Sequence, residues 1–111
     1  MKIDKSLMSG STTLLILSLL DGEEMYGYQM ITELARRSNH VFDLKEGTLY
    51  PILHGLEADG LVTVREKTAD GRTRKYYRIT RKGRKALDAR KEEWTVFREQ
   101  VDAVLGITSP A

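Results

Sequence analysis

The stretch Glu46 to Gly60, EGTLYPILHGLEADG, restricts the fold of this chain more than any other. Leu49, Ile52, Leu53 and Leu56 recur at i, i+3, i+4 and i+7, so one side of a short helix is apolar and has to be buried. Gly47, Thr48, Pro51, His54 and Gly55 fall on or near the opposite side, with Tyr50 on the flank. Nothing there requires a core, and nothing bulky stops a flat surface from approaching. This is a helix built to be presented. Pro51 has no N–H and is tolerated in a first turn, which predicts either a late start capped by Thr48 or a distorted first turn. Asp59-Gly60 closes the helix, with Gly60 as a left-handed cap.

The elements around it follow from the same spacing rules. Ser11 to Leu20 reads as a first helix with Ser11 or Thr12 in capping position; it is apolar on most sides and therefore central. After the turn Asp21-Gly22-Glu23-Glu24, the residues Tyr28, Ile31, Leu34 and Ala35 give a second amphipathic helix over about Tyr26 to Ser38. Asn39 to Lys45 joins it to the presented helix within the usual length of a helix connection. Leu61 to Lys67 and Thr73 to Thr80 read as strands, and the Asp70-Gly71 dipeptide between them is a strong hairpin signal. From Arg81 the helical pattern returns and runs to about Gly106, roughly 26 residues or about 39 Å. That is too long for a core of this size. Trp94, Phe97, Val101 and Val104 repeat with 3-4-3 spacing, with Leu105 beside them, as in the seam of a helix packed on another helix. Thr108 to Ala111 should fray. The order predicts a mainly α fold with a β-hairpin wing: a winged helix-turn-helix over residues 1–80 and a C-terminal dimerisation helix over 81–111, together one compact unit.

Charge narrows the partners. The net charge is +2, but Leu61 to Arg90 carries eleven Lys or Arg against three Asp or Glu, a local +8 that leaves −6 for the remainder. Such asymmetry points to a polyanionic partner met by one region of the molecule. The longest apolar run, Leu14 to Leu20 interrupted by Ser18, is far short of the roughly 20 residues of a membrane span. No cleavage signature follows it, so a cytoplasmic protein without membrane contact is expected. The absence of cysteine removes disulfides, thiolate metal sites and a cysteine nucleophile.

A presented helix with small residues and hydrogen-bonding side chains fits a major groove, while a basic hairpin lies along phosphates or reaches the minor groove. The expected DNA contacts are Thr48, Tyr50 and His54 on the helix and Arg65, Lys67, Arg72, Arg74 and Lys75 on the wing. The hairpin loop ADGRTRK, which holds the last three of these, has few acids to pair it. Arg81, Lys82, Arg84 and Lys85 are weaker candidates, because they open a helix whose dipole opposes positive charge. The bland alternatives are a solvent-facing helix side and a solvated basic run. His54 and His40, the two histidines, have no clustered carboxylates and make a poor metal site. No metal, cofactor or catalytic set is expected, since no nucleophile-base pair, phosphate-cradling glycine loop or carboxylate pair is present. The acidic pairs Glu23-Glu24 and Glu92-Glu93 read as a turn and a solvated helix face.

Three motifs in order, MYGYQM (Met25 to Met30), GTLYPILHGLE (Gly47 to Glu57) and RKYYRIT (Arg74 to Thr80) with Gly83 after them, resemble the signature of the PadR family of bacterial transcriptional regulators. The resemblance covers about residues 9 to 105. It implies a homodimeric repressor of the short-chain type, in which the single long C-terminal helix and the first helix build the dimer. The family commonly has Lys or Arg where this chain has His54-Gly55, which implies fewer phosphate contacts from the presented helix here.

Two readings of Trp94 stay open. It anchors the dimer seam, where aromatic residues contribute large burial energies, or it lines a cavity at the dimer centre that takes a flat aromatic effector, as in some members of that family. Leu14, Phe97, Met8 and Leu15 would wall or fill that space, and Val101, Val104 and Leu105 would extend the interface. The expected activity is that of a sequence-specific DNA-binding repressor, a two-fold dimer on an inverted repeat of double-stranded DNA. The rival is a winged-helix protein-interaction module that never touches DNA, against which the local +8 argues. A ligand carrier built on the dimer cavity is a third option.

Overall fold

The computed structural model describes residues 3–107; the tail expected to fray, residues 108–111, lies outside them. Five helices and three strands follow in the order α1 (Lys5–Ser9), α2 (Thr12–Leu20), β1 (Met25–Tyr26), α3 (Gly27–Arg37), α4 (Glu46–Ala58), β2 (Val62–Ala69), β3 (Arg72–Ile79) and α5 (Arg81–Leu105). The sheet is antiparallel, ordered β1-β3-β2, with Met25 opposite Tyr77 and Val64 opposite the same tyrosine on the other side. This is a winged helix with a long C-terminal helix, as the periodicities predicted. No helix among the described residues is long and apolar enough to cross a membrane.

The core forms where the apolar stripes meet. Leu49, Leu53 and Leu56 of α4 share one buried cluster with Ile16, Leu17 and Leu20 of α2, Met30 and Leu34 of α3, Tyr77 of β3 and Leu87 of α5. Full burial of each such side chain is worth roughly 1.5–3 kcal/mol. α2 is central because it buries Ile16, Leu17, Leu19 and Leu20 on several sides at once. Ser11 occupies its N-cap position without a side-chain cap; the Thr12 hydroxyl instead donates to the Met8 carbonyl at 3.1 Å, which joins α2 to the short α1.

Three departures from the sequence reading have physical causes. α4 begins at Glu46 with Lys45 as its N-cap, so the late start capped by Thr48 does not occur. Pro51 is the sixth helical residue, and its missing N–H leaves the Gly47 carbonyl without an i+4 donor. Both residues are exposed, so water can take its place. Second, Tyr28 does not belong to the buried stripe of α3: it is 62% exposed, and Gly27, Met30 and Leu34 are the buried positions. Third, α1 and β1 were not anticipated. α1 is a single short helix whose Asp4 cap accepts from the Ser6 N–H at 2.8 Å, and β1 is too short to show alternation.

Both sharp connections are built as the residues require. At the end of α4, Gly60 adopts φ +75°, the Leu61 N–H donates to the Leu56 carbonyl at 2.9 Å and the Gly60 N–H to the Glu57 carbonyl at 3.0 Å, a Schellman closure. At the wing tip Asp70 and Gly71 have φ +53° and +74°, the two left-handed residues of a type I′ turn, with Ala69 opposite Arg72.

Candidate nucleic-acid interface

The presented side of α4 is as the spacing requires. Gly47, Thr48, Pro51, His54 and Gly55 are all exposed, while Leu49, Leu53 and Leu56 behind them are buried. Tyr50 differs. It is half-buried, and its hydroxyl rests against Gly27, the first residue of α3, so closely that a β-carbon there would collide with the phenol. Its ring lies 6.5 Å from that of His54. The contact links the MYGYQM and GTLYP motifs in space: glycine at 27 is what lets the tyrosine of α4 close on the start of α3. Tyr26, in extended conformation before α3, donates its N–H to the Gln29 side-chain oxygen at 3.0 Å, which caps that end.

Beside the presented face runs a cleft of about 630 Å³ between the start of α4 and strand β3. Tyr26, Tyr28, Tyr50, Arg72, Arg74 and Lys75 line it, with Glu46 the one acid. Three hydrogen-bonding phenols and three cations in a trough suit a sugar-phosphate strand. Tyr28 is the residue that sequence reasoning missed here. Its place was lost by assigning it to the core; the signal that could have found it was Gly27, whose small size puts it, rather than Tyr28, on the packed side of α3.

The structure separates the wing cations into two groups. Among the described residues Arg72 and Lys75 have no ion pair, and Arg74 lies over the Tyr26 ring, 4.5 Å from its centroid. Arg65 and Lys67 are engaged internally. Glu24 accepts from Arg65 Nη2 at 2.6 Å and Nε at 3.0 Å and from Lys67 Nζ at 2.6 Å. These hydrogen bonds, Arg65 first and Lys67 second, hold the Glu24 carboxyl down at about 2. Two of the five cations expected to contact DNA, Arg65 and Lys67, are thus already paired by an acid from outside the wing, in the turn before β1. Glu24 is not a merely solvated turn residue.

At the other end of the molecule α5 leaves the core. Gly83 and Leu87 are its buried residues, and from Asp88 to Gln100 every position is exposed. Leu14, Trp94 and Phe97 come together with Leu7 and Arg90 around a groove of about 350 Å³ between α1, the start of α2 and α5. Val104 and Leu105 are exposed and Val101 is half-buried; these three lie further along α5 and do not line the groove. Met8 and Leu15 pack against the core. The described residues include no group of three or more His, Asp or Glu placed to hold a metal.

The model of the PadR-like transcriptional regulator family matches residues 16–89. The chain belongs to this family. A transcriptional regulator of Mycobacterium tuberculosis, Rv3488, is 42% identical over 83 residues, covering 75% of this chain and 72% of that one. Among solved structures, a PadR family transcriptional regulator from Eggerthella lenta superposes with a TM-score of 0.81 at 32% identity, covering 91% of this chain and 87% of the other. A transcriptional regulator from Clostridium thermocellum gives a TM-score of 0.82 at 28% identity over 88% of this chain and 96% of its own. The matched PadR segment begins inside α2 and ends in α5 two residues past the buried Leu87, so it holds the presented helix and the whole wing.

Proposed function

We propose that this PadR-family regulator is a sequence-specific DNA-binding repressor, acting as a two-fold homodimer on an inverted repeat. The exposed small and polar face of α4, next to a cleft lined by tyrosines and cations, carries this reading. Thr48 and His54 reach base edges in the major groove, and Tyr50 sits at the edge of that contact. Arg72, Arg74 and Lys75, with Tyr28 opposite, hold the phosphate strand in the cleft. In this reading residues 1–80 bind DNA and α5 joins two copies. Trp94, Phe97, Val101, Val104 and Leu105 supply the apolar seam, and the Leu14–Trp94–Phe97 groove is the place for an aromatic effector at the dimer interface. An effector there would change the angle between the two winged helices, and misaligned helices cannot both dock on half-sites spaced by about one helical turn.

The test is a binding titration at two salt concentrations, with DNA from upstream of the coding region against random duplex of equal length. A preference of roughly a thousandfold on a steep salt slope is the expected result. Weak and equal binding to both would favour the protein-interaction reading. Light scattering on the free protein tests the dimer.

A further inference from the structure

On the outer face of the sheet, six side chains form one connected row. Arg74 lies over Tyr26 at 4.5 Å, Tyr26 meets Tyr76 edge-on with centroids 5.4 Å apart, and Lys67 lies over Tyr76 at 4.5 Å. Lys67 and Arg65 then both donate to Glu24. The row begins at the DNA-facing cleft, which Arg74 and Tyr26 line, and ends at the bend before β1. Lys67 is directly opposite Arg74 in the β2–β3 register, so one of the two cations held by Glu24 is a strand's width from the cleft. Glu24 is the one anion in the row, and it lies 41 and 43 residues from its partners. Its own side chain is largely covered, whereas the Arg65 side chain is mostly in solvent and that of Lys67 a little under half exposed. Once the carboxylate charge is gone, Arg65 has no other ion-pair partner among the described residues and Lys67 keeps only its exposed contact with the Tyr76 ring, so both can turn to another anion.

We propose that Glu24 is a selectivity-determining residue of the DNA interface: by holding Arg65 and Lys67 it withholds two cations from phosphates and leaves the wing's grip to Arg72, Arg74 and Lys75. This rests on the DNA-binding reading above. Sequence-independent affinity grows with each phosphate neutralised, and the slope of log affinity against log salt steepens by about 0.9 per contact. Two mobile cations on the wing would tighten binding to every sequence alike. They would raise the background against which α4 discriminates. Glu24 keeps that background low and, through the same bonds, ties the hairpin to the start of β1.

The experiment is a salt titration of binding to a random-sequence duplex with the full chain, comparing the parent protein, Glu24→Gln, and Glu24→Gln combined with Arg65→Ala and Lys67→Ala. Glu24→Gln keeps the shape and removes the charge. It is expected to bind random duplex roughly tenfold tighter near 0.1 M salt, with a slope steeper by about one to two. The triple variant is expected to return to the parental slope. Thermal melting of each variant and a parallel Glu24→Ala variant separate this effect from misfolding, which would weaken binding instead. An unchanged or shallower slope in Glu24→Gln, or a steep slope that persists in the triple variant, overturns the assignment. A parent protein that binds no duplex at any salt overturns the DNA-binding reading itself, and this one with it.

Discussion

Gly83 lies against the Leu61 carbonyl so closely that a β-carbon on Gly83 would strike that oxygen and the Ile79 side chain. The same carbonyl accepts the Thr80 N–H at 3.0 Å. The Thr80 hydroxyl accepts the Gly83 N–H at 2.9 Å and donates to the Gly60 carbonyl at 2.7 Å. Backbone groups from the end of α4, the start of β2 and the start of α5 thus meet at one point, which fixes how the projecting helix leaves the winged helix.

Gly83→Ala is expected to destabilise the protein, although alanine is the better helix former by about 1 kcal/mol. The contact is with backbone, which cannot rotate away, so overpacking dominates at about 1–3 kcal/mol net. Urea unfolding checks it; an unchanged or raised midpoint would show that α5 shifts without cost.

Gly27 and Tyr50 should behave as a coupled pair. Gly27→Ala alone meets the Tyr50 phenol and should cost about 1–3 kcal/mol, while the same change in a Tyr50→Ala background should cost markedly less. A double-mutant cycle reads the difference directly. Additive losses would mean that the tyrosine already yields.

The turn at the wing tip makes a third prediction. Gly71→Val places a β-branched residue at φ +74° and should cost about 1–2 kcal/mol. Because the strain is at the tip, far from the core, amide exchange should accelerate in β2 and β3 and leave α2 and α4 protected.

Acid should weaken the fold over a defined range. Glu24, through Arg65 and Lys67, and Glu33, through Arg36 and Arg37, are held at about 2 from an ordinary 4.5. As pH falls below 4.5 the unfolded chain takes up these protons and the native state does not. The stability they contribute is therefore whole above 4.5 and is lost as pH falls toward 2. Glu24→Gln and Glu33→Gln should each flatten that decline in melting temperature between pH 5 and 2; an identical profile would remove the residue from the account.

The stripe Leu49, Ile52, Leu53, Leu56 and the dipeptide Asp70-Gly71 disclosed the presented helix and the wing because both signals are local and periodic. The end of α4 at Gly60 and of α5 at Gly106 could be read for the same reason: each is a left-handed glycine. What was hidden depends on distant pairing. β1 exists only because Met25 and Tyr26 find Tyr77 and Tyr76 half a chain away. Glu24 read as a turn residue because nothing near it in sequence points to Arg65. Tyr28 looked like core because its spacing to Ile31 and Leu34 fits a stripe; the helix is in fact rotated so that Gly27 faces inward against Tyr50.

The most direct measurement of the central claim, that α4 reads bases while the wing holds phosphates, is affinity for a duplex selected from a random library and for unselected duplex, in Thr48→Ala, His54→Ala, Arg72→Ala and Lys75→Ala. The helix variants should lose roughly 1–3 kcal/mol on selected duplex and little on unselected, and the wing variants should lose equally on both and reduce the salt slope by about one. Equal losses on the two duplexes for all four variants would contradict the division of labour between α4 and the wing.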